Sequence, residues 1–115
     1  MIDPKQFVNE VVRLATEYPN RTAECSYLEY TEDENCDRIP TGKPVCIMGT
    51  ALFNLGVSVD ALESCENDNM IAVNTKLDLG LPSPVVRWAN DVQTNQDDGS
   101  NWCDAVADAQ EVPSV

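Results

Sequence analysis

The sequence predicts a mainly α fold, a small single-domain helical bundle of about four to five helices. Three observations predict this class. Helix-start signals such as Asp3-Pro4 recur along the chain, apolar residues repeat at three- and four-residue steps, and 115 residues suit one hydrophobic core. We expect the helical domain to occupy residues 1–112, followed by a short C-terminal tail at residues 113–115. The 43% hydrophobic content is sufficient for a modest core.

The first helix begins at Asp3-Pro4, because aspartate caps a helix well and proline at the first helical position loses no hydrogen bond. It ends at Tyr18-Pro19, since a residue before proline avoids helical angles. The residues at helical spacing between these points are apolar and predict one face turned to the core: Phe7, Val11, Leu14, Ala15 and Tyr18.

Residues 25–31 alternate weakly and predict either a short β-hairpin or an extended segment. The acid-rich stretch 32–37 and the Pro40-Thr41-Gly42-Lys43 run that follows it predict an exposed, solvated loop. Its acids lack the spacing of a calcium-binding loop. We therefore expect no regular structure from residue 32 to residue 43.

Pro44 opens the most apolar helix, predicted over residues 45–55. Gly49 lies inside this helix and costs about 1 kcal/mol relative to alanine, which indicates close approach of another backbone. Ser58 then caps a short helix over residues 59–64.

Residues 66–82 show neither a clean helical period nor a clean strand period, so both alternatives stay open. Ser83-Pro84 caps a firmer helix that ends near Gly99, and Ser100 or Asn101 caps the last helix. The apolar stripes of these two helices consist of Val85, Trp88, Ala89 and Val92 in the first and Trp102, Cys103, Val106, Ala107 and Ala109 in the second.

The charge is strongly acidic, with 20 acids against seven bases and a formal net charge of -13. No base follows Arg87. This balance disfavours direct binding of nucleic acid, and the short helix at residues 59–63 carries two acids and no base where a DNA-reading helix needs cations. Three readings of the acidity stay open: solubility alone, a complement to a basic protein surface, and imitation of the phosphates of DNA.

The chain contains no histidine, which excludes most familiar catalytic and metal-binding arrangements. The five cysteines include no C-x-x-C pair, so we expect no zinc, no other cofactor and no structural disulfide. At least four of the five are expected to be small buried apolar residues. Cys46 is the candidate nucleophile, because the start of a helix lowers a thiol pKa, whereas its apolar neighbours favour a core position.

The chain has no apolar run long enough to cross a bilayer and does not start like a signal peptide. We therefore expect a soluble, cytoplasmic protein that makes no contact with a membrane. If a phage encodes it, the cytoplasm is that of the bacterial host.

Three stretches of the sequence resemble an uncharacterised family of small acidic proteins from actinobacteria and their bacteriophages. The resemblance covers about the last three quarters of the chain, and it implies a phage or actinobacterial origin without an activity. Its most specific part is the turn Gln96-Asp97-x-Gly99-x-x-Trp102. That turn lies within the third stretch, Val92-Gln93-x-x-Gln96-Asp97-x-Gly99-x-x-Trp102-x-x-Ala105-Val106-x-x-Ala109. The other two stretches are Cys25-x-Tyr27 and Pro44-x-Cys46-Ile47-Met48-Gly49-x-Ala51-Leu52-x-x-Leu55-Gly56-Val57.

Four residues around that turn form the candidate recognition surface: Gln93, Gln96, Asp97 and Trp102. The alternative is architectural, with the indole packed across the junction and the polar groups bonded to turn amides. We expect a non-enzymatic phage or actinobacterial protein that binds a host or viral protein. The alternatives are an acidic DNA mimic that blocks a nucleic-acid-binding protein, and a small thiol-dependent enzyme that uses Cys46.

Overall fold

The structure, a computed structural model, describes residues 2–23, 26–109 and 111–114, which form six helices and one antiparallel hairpin. Helices dominate these residues as predicted, although there are six rather than four to five. The hairpin predicted near residues 25–31 lies further along the chain, at residues 28–44, and Cys25 lies outside the described residues. The elements are α1 (Pro4–Glu17), β1 (Leu28–Glu32), β2 (Arg38–Pro44), α2 (Ile47–Asn54), α3 (Val59–Ser64), α4 (Met70–Lys76), α5 (Ser83–Asp97) and α6 (Trp102–Ala107).

Helix α1 begins as predicted, because the Asp3 carboxylate accepts hydrogen bonds from the backbone N–H groups of Lys5 (2.8 Å) and Gln6 (3.2 Å). Its apolar face packs against α2 and α6. The core that these helices enclose includes the large, fully buried side chains of Phe7, Leu52, Trp88 and Trp102.

Strand β2 replaces the solvated loop predicted for this part of the chain. Pro40 and Pro44 misled that prediction, since proline lacks the N–H that a strand donates. In the structure both prolines stand opposite β1, Pro40 across from Tyr30 and Pro44 across from Leu28. A two-stranded sheet tolerates them because alternate residues of each strand turn their backbone groups away from the partner.

Helix α2 begins at Ile47, two residues later than predicted, because Pro44 belongs to β2. Cys46 is therefore the N-cap, and its Sγ accepts a hydrogen bond from the Gly49 N–H at 3.1 Å. The close approach predicted at Gly49 is confirmed. A Cβ added there would lie 2.5 Å from the carbonyl oxygen of Tyr27.

Three of the four remaining helices begin at a polar residue whose side chain caps the helix. Ser58, Asn69 and Asn101 each accept from a backbone N–H three residues on, so residues 70–76 of the open stretch are helical. The predicted Ser83 cap is wrong. Helix α5 starts from Pro82 without a side-chain cap, and Ser83 is already helical. Among the described residues, each helix is too short or too polar to span a bilayer.

The hairpin turn places Cys36 in the left-handed region at φ 63°. The Cys36 N–H donates to the Asp33 carbonyl and the Asp33 N–H donates to the Asp37 carbonyl, both at 3.0 Å, which is the three-residue loop that prefers glycine at this position. A side chain there costs about 1 kcal/mol.

We expect Cys36→Gly to raise the free energy of unfolding by up to about 1 kcal/mol, because glycine adopts this φ without strain. Thermal and chemical melting of the purified variant measures the change. Cys36→Ala is the matched control, since it removes the same thiol and keeps the strain. Equal melting of the glycine and alanine variants would contradict the expectation.

Candidate functional site

The structure places Gln96, predicted as a recognition residue, fully inside the protein. Its Oε1 accepts a hydrogen bond from the Ile47 N–H at 2.8 Å, and its Nε2 donates to the Asp97 carboxylate at 2.9 Å. Gln96 thus joins α5 to the start of α2. Its buried position excludes direct contact with a partner, so this residue supports the fold beneath any binding surface.

Gln93 and Asp97 line a polar cleft of about 130 Å³ that also includes Tyr27 and Asn90. Gln93 is 7% exposed, and its amide donates to Asp97 at 3.4 Å. The side chain of Asp97 therefore accepts from both glutamines of α5. Hydrogen bonds therefore join Gln93, Gln96 and Asp97 in one cluster, and only Asp97 among them is exposed.

Trp102 is fully buried, so the architectural alternative describes it better than the recognition alternative. Its ring lies 6.3 Å from the ring of Tyr18 in an edge-to-face arrangement, with 88° between the planes. The Arg21 guanidinium lies over the same indole, 5.0 Å from the ring centroid. Trp102 therefore packs beneath the guanidinium of Arg21, which is exposed at the surface.

A groove of about 960 Å³ lies beside β1. All five residues of β1 line it, together with Arg21, Arg38, Lys43 and the turn residue Gly99. We call this feature the β1 groove. Residues 39–42 of β2 do not line it, which shows that the groove follows β1 rather than the middle of the hairpin.

The guanidinium groups of both arginines in the β1 groove lie over aromatic rings. The Arg21 Cζ lies 4.1 Å from the centroid of the Tyr18 ring, and the Arg38 Cζ lies 4.3 Å from the centroid of the Tyr30 ring. A cation–π contact of this kind restrains a guanidinium, which can still donate its N–H groups to an anion.

The three cations of the β1 groove form no ion pairs with the described residues. Arg21, Arg38 and Lys43 are exposed and form no salt bridge with any described residue. By contrast, Arg13 pairs with Glu10 on α1. The groove holds three of the seven bases of a chain with a net charge of -13, against the two carboxylates of Glu29 and Glu32.

The start of α6 fixes the position of Arg21. The Trp102 N–H donates to the Arg21 carbonyl at 2.8 Å, and the Cys103 N–H donates to the Pro19 carbonyl at 3.1 Å. These are N–H groups of the first helical turn, which have no partner inside their own helix. The first turn of α6 therefore fixes the backbone of Arg21, one of the residues that line the β1 groove.

Sequence reasoning missed Arg21, Arg38 and Lys43 as a group. A signal was present, because they fall within 23 residues and Arg21 and Arg38 lie within eight residues of a tyrosine. The sequence also contained an indication that Gln96 is buried. Gln96 continues the apolar stripe of α5 four residues after Val92.

The cysteines divide into two classes, so the expectation that at least four are buried is wrong. Cys46 and Cys65 are buried, whereas Cys36 and Cys103 are exposed, and all four are free thiols. The buried Cys46 thiol cannot reach a substrate, which weakens its candidacy as a nucleophile. Among residues 2–23, 26–109 and 111–114, no three Cys, Asp or Glu side chains converge as metal ligands.

We expect the stability of the protein to fall between about pH 9 and pH 12, partly because of Cys46. Burial raises the pKa of its thiol from the usual 9.0 to about 12. Above pH 9 the unfolded thiol ionises while the folded thiol stays neutral, so this contribution to stability is complete below pH 9 and disappears as the pH approaches 12. The loss is about 1 kcal/mol by pH 10.

Urea unfolding at several pH values from 8 to about 10 measures this loss. Burial also raises the pKa values of Tyr27, Tyr30 and Cys65, which act in the same direction. Cys46→Ala is therefore the control, and its stability should decline less steeply than that of the parent. Parallel declines would show that Cys46 does not contribute.

No family model matches the chain, and neither the curated proteins nor the solved structures include a significant match to it.

Proposed function

We propose that this chain is a non-enzymatic binding protein of phage or actinobacterial origin that holds a host or viral protein in the β1 groove. The single observation that carries the proposal is the set of three unpaired cations along an exposed strand, two of them stacked on aromatic rings. Arginine and aromatic residues dominate the binding energy of protein interfaces. The origin rests on the resemblance of the turn at residues 96–102.

The β1 groove supports a recognition role better than the four residues predicted from sequence. Gln96 and Trp102 are buried. Gln96 positions the start of α2 through Ile47, and Trp102 packs beneath the guanidinium of Arg21. The thiol-dependent enzyme has less support, since Cys46 is buried and burial raises its pKa to about 12. The absence of histidine from the sequence favours binding over catalysis as well.

Capture from an actinobacterial lysate with matched charge-reversal variants tests the proposal. Arg38→Glu with Lys43→Glu changes the groove, and Lys5→Glu with Arg87→Glu makes the same change of charge on exposed residues outside it. We expect the first pair to lose the captured protein and the second pair to retain it. Equal capture by both pairs would overturn the assignment to the groove.

The acidic DNA mimic is the second candidate, favoured by the exposed acids near the end of the chain. Asp98, Asp104 and Asp108 are exposed, and no base follows Arg87. A mimic would lose its partner when these three aspartates become asparagine, and it would keep the partner when the groove bases are reversed. The same capture experiment therefore separates the two candidates.

A further inference from the structure

We propose that the β1 groove binds an extended acidic segment of the partner protein, which adds to the hairpin as a third strand beside β1. This inference rests on the proposed function and names the chemistry of the partner. Two independent observations carry it: the unpaired backbone edge of β1 and the excess of cations over carboxylates in the groove beside it.

The register of the hairpin shows which backbone groups of β1 face outwards. The Asp33 N–H donates to the Asp37 carbonyl, and Thr31 stands opposite Ile39 two residues further along. Hydrogen-bonded pairs alternate with non-hydrogen-bonded pairs in an antiparallel ladder, so the backbone groups of Thr31 face β2. Those of Tyr30 and Glu32 then point away from it.

Pro40 provides an independent check of this alternation. It stands opposite Tyr30, where a residue without an N–H fits only a non-hydrogen-bonded pair. The N–H and C=O groups of Tyr30 and Glu32 form no hydrogen bond with any described residue outside the hairpin. They are spaced two residues apart, which is the repeat that an added strand needs.

The β1 groove lies along this edge. Side chains alternate between the two faces of a strand, so one face alone would contribute only every second residue. All five residues of β1 line the groove, from Leu28 to Glu32, which places the groove around the strand edge. An extended chain laid there would also reach Arg38 and Lys43 at the two ends of β2.

Charge selects an acidic occupant. The groove holds Arg21, Arg38 and Lys43 against Glu29 and Glu32, whereas the chain as a whole carries a net charge of -13. A basic segment would be drawn instead to the rest of the surface. An acidic segment is repelled there and attracted here, so the field of the whole protein directs it to the groove.

Fluorescence anisotropy with labelled peptides and the full-length protein tests this inference. The probe is a peptide of about eight residues that alternates valine with glutamate, long enough to cover a strand edge. The control peptide replaces glutamate with lysine. We expect the acidic peptide to bind at about 0.1 M salt, to bind more weakly at about 1 M salt, and to bind more tightly than the lysine peptide.

Two variants at one position separate backbone pairing from charge. Glu32→Gln removes a repelling carboxylate and should tighten binding up to about fivefold. Glu32→Pro removes the same carboxylate and also the outward N–H, so it should weaken binding up to about tenfold relative to Glu32→Gln. Proline is tolerated there because this N–H faces away from β2. Melting and circular dichroism check that both variants fold.

Alanine substitutions of the groove cations complete the experiment. Arg38→Ala and Lys43→Ala should each weaken binding up to about fivefold, and Arg87→Ala, an exposed base outside the groove, should leave it unchanged. Equal binding by the two Glu32 variants would overturn strand addition. Tighter binding of an oligothymidine, or of the lysine peptide, would overturn the acidic peptide as the occupant.

The outcomes distinguish this inference from the proposed function. If the acidic peptide fails to bind while lysate capture still depends on Arg38 and Lys43, strand addition by an acidic segment is wrong and the groove remains the binding site. If capture also ignores these bases, the proposed function fails with it.

Discussion

Trp102→Ala is expected to lower the free energy of unfolding by about 3 to 5 kcal/mol. The side chain is fully buried and lies against Tyr18, so the substitution leaves a large cavity where α1 meets α6. A typical domain has about 5 to 15 kcal/mol in total, so much of the protein would unfold at moderate temperature. Chemical denaturation with fluorescence of Trp88 measures the loss.

Trp102→Phe is the matched control for this prediction. The indole N–H of Trp102 is buried and has no hydrogen-bond partner among the described residues, so its removal relieves an unsatisfied donor while the ring is kept. We expect a smaller loss than for alanine. If Trp102→Ala melts like the parent and loses its partner, the indole contacts the partner and the architectural interpretation is wrong.

The second large effect is expected at Gln96, where alanine should cost about 2 to 4 kcal/mol. A surface glutamine would cost about 1 kcal/mol or less. Here the substitution removes the hydrogen-bond acceptor of the Ile47 N–H at the start of α2 and leaves a cavity between α2 and α5. Urea unfolding of Gln96→Ala beside the parent measures it.

Asp97→Asn is the control for Gln96→Ala. Asp97 is exposed and keeps an acceptor oxygen for the Gln96 amide when it becomes asparagine, so we expect a change of about 1 kcal/mol or less. Gln96→Met adds a second test, because it retains most of the volume and removes the acceptor for Ile47. A loss below 1 kcal/mol for Gln96→Ala would show that this bond does not hold the helices together.

Local signals in the sequence predicted the caps of three of the six described helices, because a cap involves residues only two or three positions apart. Asp3, Ser58 and Asn101 each accept the expected backbone hydrogen bond. Strand β2 was missed for the opposite reason. Its pairing with β1 joins residues that lie 6 to 16 positions apart, beyond the reach of a cap signal. Pro40 and Pro44 suit its non-hydrogen-bonded positions, but in the local sequence prolines are typical of loops.

The candidate site was less predictable than the fold. The stacking of Arg21 on Trp102 joins residues far apart in sequence, and no local pattern reports it. Gln96 was predicted to lie on the surface because its side chain is polar, although its position in α5 continues the buried face of that helix. Polar residues of this kind are buried when a backbone donor needs them, as Ile47 does here.

The free edge of β1 has a consequence for how the protein behaves at high concentration. Two molecules that met edge to edge would extend the hairpin into a continuous sheet, the first step of aggregation. Mutual repulsion between chains of charge -13 opposes that encounter, and the carboxylates of Glu29 and Glu32 beside the edge oppose it locally. This protection disappears near the isoelectric point of about 4.1, where turbidity and sheet content should rise together.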